Sequence, residues 1–387
     1  MANFTQVYSI INAVQKMAYG DVVIDVVDTS SFIKFSEKIL ELGKDVFVNT
    51  LYDTISKVVC IDEKYDSPLA TILMDTNEYG AIMQKLSVNP IDARENPEYL
   101  VGGENYTVDY MPILKPDINQ FFIKDFATWE NGVTVPDRLY KTAFDRETRF
   151  VALIDAIFTA LENGMELAKE RMISLTKCSY IAKVLNDNGA NAIDVLALYK
   201  ESHPNTTLTK DTCIDDEDFQ RFLARVFDDY ATYLTVYNTV FNSENLPRFT
   251  RKDRLRVEVL KTVDSRLKNY LLATTFNNTY VTLPNYRTVP YWQGNGTDFS
   301  FGNVSKISVN LGNDTVVTKD GILAIMFDEY SMGCNIFEDE SASDRINHEH
   351  ITNHYRQMTG QYFCDTSEQF VVFYVDGANN GRNKGKS

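Results

Sequence analysis

From Asp145 to Asn186 the chain carries one apolar stripe, and few folds can accommodate it. Phe150, Leu153, Ile154, Ile157, Phe158, Leu161, Met165, Met172 and Leu175 recur at steps of three and four. That spacing lines up side chains on one face of an α-helix. Asp145 stands where a carboxylate can accept the free N–H groups of a first turn, and Asn188-Gly189 supplies a stop. Gly164 marks a bend. At ~1.5 Å per residue, a helix of about forty residues is a rod on the order of 60 Å. A rod of that length serves as a scaffold and is an unusual seat for catalysis.

The parts on either side are just as extended. Residues 1 to about 65 read as an arm with short helices: Ser31 to Leu42 has helical periodicity ended by Gly43, and Leu51 to Cys60 passes from helix into strand. Then Ile82, Gln84, Leu86 and Val88 alternate with Met83, Lys85 and Ser87, which is strand periodicity. Asn89-Pro90, Asn96-Pro97 and Gly102-Gly103 punctuate a polar tip, and Gln120 to Phe126 forms the returning strand. This excursion, about Ser67 to Thr128, is a projecting hairpin or else a long surface loop. An isolated hairpin is only marginally stable in water, so such an arm normally lies on something.

After the rod, a second helix is expected from about Asp216 to Phe241, with Asp215 as its cap. A strand Leu255–Leu260, a helix Ser265–Phe276, a strand Val304–Leu311 and a buried strand ending at Asp328 follow. The aromatic run Gln361–Val375 reads as one closing strand, and Gly377–Ser387 as a disordered tail. At 387 residues the chain is long enough for two or three subdomains.

Charge and cysteine usage exclude several classes. A formal charge of −16 argues against gripping nucleic acid, because phosphate binding needs a local basic surplus. A wall that encloses DNA without holding it tolerates this sign. Five scattered cysteines (Cys60, Cys178, Cys213, Cys334 and Cys364) fit reduced thiols in a cytoplasmic fold and form no zinc-knuckle spacing. The first residues lack a signal-peptide pattern, and no apolar run is long enough to span a membrane.

Three clusters could carry chemistry. His348, His350 and His354 are metal-ligating types within seven residues. As a strand they share a face, but His348 and His354 then lie about 20 Å apart; as a helix only His350 and His354 are neighbours. Glu349 and Asp344 could complete a site, but a polar face fits the spacing better. The run Asp215-Asp216-Glu217-Asp218 lacks the alternating oxygen ligands and central glycine of a calcium loop and suits a helix start. Arg248, Arg251, Lys252, Arg254 and Arg256 are a weak phosphate candidate, interrupted by Asp253 and Glu258; intersubunit pairing or a solvated face is the preferred reading. No phosphate-binding glycine loop or nucleophile motif occurs. Catalytic, cofactor and metal sites are therefore each assigned as none, and no enzyme activity is expected.

Certain stretches do resemble a known family. They are Leu139–Phe144 leading into the rod, Ile154–Phe158 within it, Arg254–Leu260 with Asp264 and Phe276-Asn277, Gly321–Asp328 with Tyr330, and Phe370–Val375. Their order resembles the major capsid proteins of tailed bacteriophages with the Hong Kong 97 fold, and is most similar to those of phi-twenty-nine-like short-tailed phages. The chain leaves no room for the C-terminal immunoglobulin-like domain of some relatives, and no residue pattern supports the Lys–Asn crosslink of the founding example.

The resemblance implies an α+β fold divided into an N-terminal arm (1–65), an extended hairpin (66–128), a spine helix of a peripheral domain (129–190), an axial α/β domain (191–335), return strands of the peripheral domain (336–376) and a tail (377–387). It implies a shell of hexamers and pentamers, with scaffolding protein, a portal and enclosed double-stranded DNA as partners, assembled in the host cytoplasm and located in the virion. The alternatives are an encapsulin-like compartment shell, a minor virion or tail protein, or a metal-dependent hydrolase using His348, His350 and His354.

Overall fold

The computed structural model describes residues 4–42, 46–47, 50, 72–73, 83–91, 93, 115–124, 126–136, 138, 147–274, 283, 285–293, 298–312 and 315–376. Helices α1 (Phe4–Tyr19) and α2 (Thr29–Leu42) come first, then strands β1 (Met83–Val88), β2 (Ile118–Ile123) and β3 (Phe126–Pro136). The rod is α3 (Glu147–Asp187), followed by β4 (Ala192–Asp194), α4 (Val195–Ser202) and α5 (Glu217–Tyr233). Next are β5 (Leu255–Leu260), α6 (Lys261–Thr274), β6 (Tyr286–Val289) and a single helical turn, α7 (Phe301–Val304). The chain continues through β7 (Ile307–Asn310), β8 (Val316–Lys319), β9 (Ile322–Asp328), β10 (Met332–Ile346), β11 (Ile351–Cys364) and β12 (Phe370–Tyr374). Leu51–Cys60, the hairpin tip at 96–103, Leu139–Phe144, Phe276-Asn277 and the 377–387 tail lie outside the described residues.

Two compact units divide the chain. The first comprises residues 1–70, 126–171 and 336–360. Its core joins Ile11, Val14, Phe32 and Phe35 of α1 and α2 to Val135 of β3 and Phe158 and Leu161 of α3. Residues 4–42, expected as the helical part of an arm, thus bury their apolar faces within this unit. Two amide side chains of α1 hold the following segment. Gln15 exchanges hydrogen bonds with Ile24 N and O (3.0 and 2.8 Å), and Asn12 does the same with Val26 (3.0 and 3.2 Å). This imitates a strand pairing and satisfies backbone that would otherwise be orphaned. Strands β10, β11 and β3 form a sheet in that order. The helical hydrogen bonding of α3 passes through Gly164. A Cβ at Gly164 would collide with the Asn131 amide of β3, so close approach explains this glycine better than the expected bend.

The second unit comprises 71–125, 172–335 and 361–387. A five-stranded mixed sheet, β4-β12-β9-β5-β6, is its centre. Every residue of β9 and β12 is buried, the pattern of strands covered on both faces. Register explains how. Glu258 of β5, Ile325 of β9 and Val372 of β12 stand opposite one another, so they share a face, with Phe370 two residues along. The C-terminal half of α3 covers that face: Tyr180 stacks on Phe370 at 4.0 Å between ring centroids, and Lys177 pairs with Glu258. On the other face Phe373 meets Phe227 and Tyr230 of α5, at 5.1 and 5.3 Å.

Several boundaries differ from those read in the sequence. Helix α5 stops at Tyr233, not Phe241, because Asn238 competes with helix. Its Nδ2 donates to Tyr233 O and Val236 O, and its Oδ1 accepts from Val240 N and Phe241 N. The cap of α5 is Asp216, which accepts from Phe219 N at 2.8 Å, and Asp215 closes the preceding 3-10 turn. Val304 lies in a helical turn before β7 instead of beginning it. The aromatic run at 361–375 is two strands, not one. Asp365 Oδ1 accepts from Ser367 N and Ser367 Oγ (2.9 and 2.6 Å), an Asx turn that ends β11 before β12 begins.

Candidate functional site

The sequence signal that matters most is the period-2 alternation of β1 and β2. The two strands pair antiparallel with Gln84 opposite Phe122, Leu86 opposite Gln120 and Val88 opposite Ile118. Since side chains alternate across a strand, these six residues share one face. Leu86, Val88, Ile118 and Phe122 on that face are 59%, 55%, 50% and 52% exposed. Here an apolar face points to water.

The opposite face is anchored. Lys85 Nζ donates to Asp365 Oδ2 at 2.7 Å and to the Tyr330 carbonyl at 3.2 Å, and lies 2.8 Å from Glu368 Oε1. Asp365 and Glu368 are almost wholly buried, so these are charge-assisted contacts shielded from solvent. Arg248 donates from Nη2 to Ser87 Oγ (2.8 Å) and from Nη1 to Asn89 Oδ1 (3.0 Å). Phe121 sits 6.4 Å from Phe363. The root of the hairpin is therefore fixed to its own unit, and Asn89 N bonds Asp117 O at 3.0 Å to continue the ladder beyond β1.

The three sequence clusters resolve differently. His348 and His350 occupy the turn joining β10 to β11, with His350 in the left-handed region (φ +55°). His354 is on β11, buried, its ring edge-on to Phe158 at 6.5 Å. Burial holds its pKa below the usual imidazole value. Among the described residues, no three His, Cys, Asp or Glu side chains converge as metal ligands. In the acidic run, Asp216 caps α5, Asp215 pairs with Arg266 at 2.9 Å and Glu217 with Arg221. Several members of the basic cluster find partners within the chain, and Arg251 lies on a solvated face. Arg254 meets buried Asp328 at 2.6 Å and lies 4.4 Å over the Tyr330 ring; Arg256 meets Glu329 at 2.5 Å, and Arg251 meets Asp253. Arg254 and Arg256, two residues apart, thus stand beside the carboxylates at the C-terminal end of β9.

Three of the thiols lie where burial suppresses their ionisation. Burial pushes Cys178, Cys213 and Cys364 each up to about 12, so little of any of them is the nucleophilic thiolate at neutral pH. One buried polar node, missed in the sequence, joins α6 to β6. Asp264 accepts from Tyr286 Oη at 2.5 Å and pairs with Lys261 and Lys268 at 3.0 and 2.9 Å. Burial alone would raise its pKa, but the Tyr286 and lysine contacts hold it below the ordinary value. Its i, i−3 and i, i+4 lysines were readable, whereas the tyrosine comes from a different element.

No helix among the described residues is long and apolar enough to cross a membrane. A family model described as Phi29-like phage major capsid protein matches residues 11–374. No curated protein matches the sequence. Among solved structures, the chain is similar to one from the capsid structure of Staphylococcus phage Andhra, with 10% identity, TM-score 0.52, and coverage of 80% of this chain and 83% of that one. It is also similar to a chain from the structure of the head fiber and inner core protein gp22 of native bacteriophage P68, with 8% identity, TM-score 0.55, and coverage of 82% and 86%. At these identities the likeness is one of fold.

Proposed function

The chain belongs to the Phi29-like phage major capsid protein family, and from that premise we propose how its parts divide the work of building the head. As a phage major capsid protein it forms the icosahedral shell from homo-oligomeric capsomers. The observation that carries our reading is the apolar outer face of β1 and β2 above an anchored root. Exposed contiguous apolar surface is rare on soluble monomers and marks an interaction site. We assign the hairpin region, 66–128, to reach over a neighbouring subunit. We assign residues 126–171 and 336–360 to the peripheral domain with the first half of the spine helix, the five-stranded sheet, β12 included, to the axial domain around the capsomer axes, and 1–65 to a brace.

In this reading the protein is structural and has no catalytic site. Its net charge of −16 keeps enclosed DNA from adhering to the wall. Scaffolding protein and a portal are the remaining partners, and assembly takes place in the host cytoplasm before the shell becomes part of the virion.

Deleting Asn89 to Asp117 tests the hairpin. The shortened subunit should remain soluble and folded by circular dichroism, yet yield no closed shells in negative-stain electron microscopy, alone or with scaffold. Normal shells from this variant would remove the hairpin from the assembly mechanism.

A further inference from the structure

Arg248 is a buried cation held by neutral oxygens. Its Nη1 donates to Asn89 Oδ1 and to the Pro247 carbonyl (3.0 and 3.1 Å), and its Nη2 donates to Ser87 Oγ (2.8 Å). Its Nε is buried with no acceptor among the described residues. Arg251, Arg254 and Arg256 each meet a carboxylate; Arg248 does not among the described residues. The same residue closes the base of the loop between α5 and β5, residues 234–250. Arg248 N donates to Asn238 O at 2.9 Å, Asn238 N donates to Arg248 O at 3.0 Å, and Arg248 O also accepts from Gln369 Nε2 at 3.1 Å. Beside this bridge Thr250 N reaches Leu234 O at 2.8 Å, and the rings of Tyr237 and Phe249 lie 4.5 Å apart.

Two of the three acceptors of the guanidinium therefore come from the hairpin, 159 and 161 positions away in the chain. A charge left buried without its acceptors is among the costliest single defects a fold can carry. The hairpin strands, pinned by Lys85, close one side of the guanidinium. Deprived of Ser87 and Asn89, the charge reaches water by displacing the loop that carries it. We propose that Arg248 is a latch, so that the Asn238–Arg248 bridge, and with it the shape of the 234–250 loop, stays closed only while the hairpin root offers Ser87 and Asn89. The position of the hairpin is thereby reported at a loop it does not otherwise need to touch. By linkage the effect is reciprocal, and an opened loop holds the hairpin root less firmly. The latch is internal to one chain and operates whether or not that chain stands in a shell.

Amide hydrogen exchange of the full-length, unassembled subunit, read by mass spectrometry, tests the latch. In a Ser87→Ala, Asn89→Ala variant, peptides covering 234–250 should exchange about tenfold faster or more, since one hydrogen bond to a charged group is worth about that factor in an equilibrium. Peptides of β9 and β12 should keep their wild-type rates. Ser87→Ala alone, the milder change, should give a smaller rise in the same loop peptides and decides the matter if the double variant does not fold. Unchanged exchange in 234–250 overturns the latch. A uniform rise that includes β9 and β12 marks general loss of stability and also overturns it. Arg248→Met removes the charge, and adding Ser87→Ala in that background should change loop exchange no further. A further rise there would show that the hairpin reaches the loop by another route.

Discussion

Lys177 and Glu258 give the sharpest energetic prediction. The lysine nitrogen lies 2.9 Å from both carboxylate oxygens, and the two side chains are 4% and 2% exposed. At an effective dielectric of ~20 the attraction at contact is about 4–5 kcal/mol. Desolvation costs several kcal/mol for each ion, so the intact pair is close to neutral in net stability. Removing one member leaves the other charge buried, and Lys177→Met or Glu258→Leu alone should cost about 3–5 kcal/mol. With an m-value of about 3 kcal/mol/M in urea, the midpoint of the second unit should fall by about 1–1.7 M. The double variant should recover most of this loss. Urea unfolding of unassembled subunits, followed by tryptophan fluorescence, measures all four corners of the cycle; Trp292 is buried and its carbonyl accepts from the neighbouring Cys178. Single variants costing under about 1 kcal/mol, or a double variant no better than the worse single, would refute the argument.

Three further outcomes follow from other sites. Gly321 has φ +81°, and a Cβ there would lie 2.5 Å from the Val375 carbonyl; Gly321→Ala should lower stability by about 2 kcal/mol or more in urea unfolding, whereas Gly302→Ala, with open space around it, should be nearly silent. Asp264 is held below its usual pKa of 3.8, so its stabilising contribution is fully present above that pH and is lost as pH falls through the lower folded value. Tyr286→Phe should weaken this acid sensitivity, and an unchanged unfolding profile below pH 4 would show that the node contributes nothing. His354 is neutral in the fold with its pKa below 6.5, so the unfolded state takes up its proton first and stability should decline as pH falls below about 6.5. His354→Phe should flatten that slope between pH 7 and 5 in thermal melts.

The sequence made the elements with strong internal periodicity legible. Glu147–Asp187, the alternation in β1 and the apolar run of β9 are each determined by neighbours in the chain. Where something other than periodicity decides an element, the sequence pattern alone misleads. Strand β10 is mostly charged and polar through its second half, Glu338 to Arg345, so no alternation announced that it pairs with β11. The apolar stripe of α5 continues through Leu234 and Tyr237, yet Asn238 captures the carbonyls that another helical turn would need. Strand β3 alternates strictly in exposure, but its more buried side mixes Ala127 and Asn131 with Trp129, Val133 and Val135, and its exposed side begins with Phe126, so apolar residues do not mark one face in the sequence. For the candidate site, alternation located the hairpin, but not which side faces water. That depends on Lys85 finding Asp365, 280 positions away, and on Arg248 finding Ser87.

The first unit is sewn from three separate stretches of chain, 1–70, 126–171 and 336–360. This has a consequence during synthesis. The helices ending at Leu42 are made long before β11, which carries Asn353 to Thr134 of β3 at 2.6 Å. From 42 to 353 is 311 positions, or roughly 15–60 s of translation at ~5–20 residues per second. Throughout that interval the nascent chain lacks a finished first unit. A nascent subunit that has not yet reached β11 is therefore a poor building block. The interleaving of the chain thus acts as a timer, delaying incorporation until the last of the three stretches has been made.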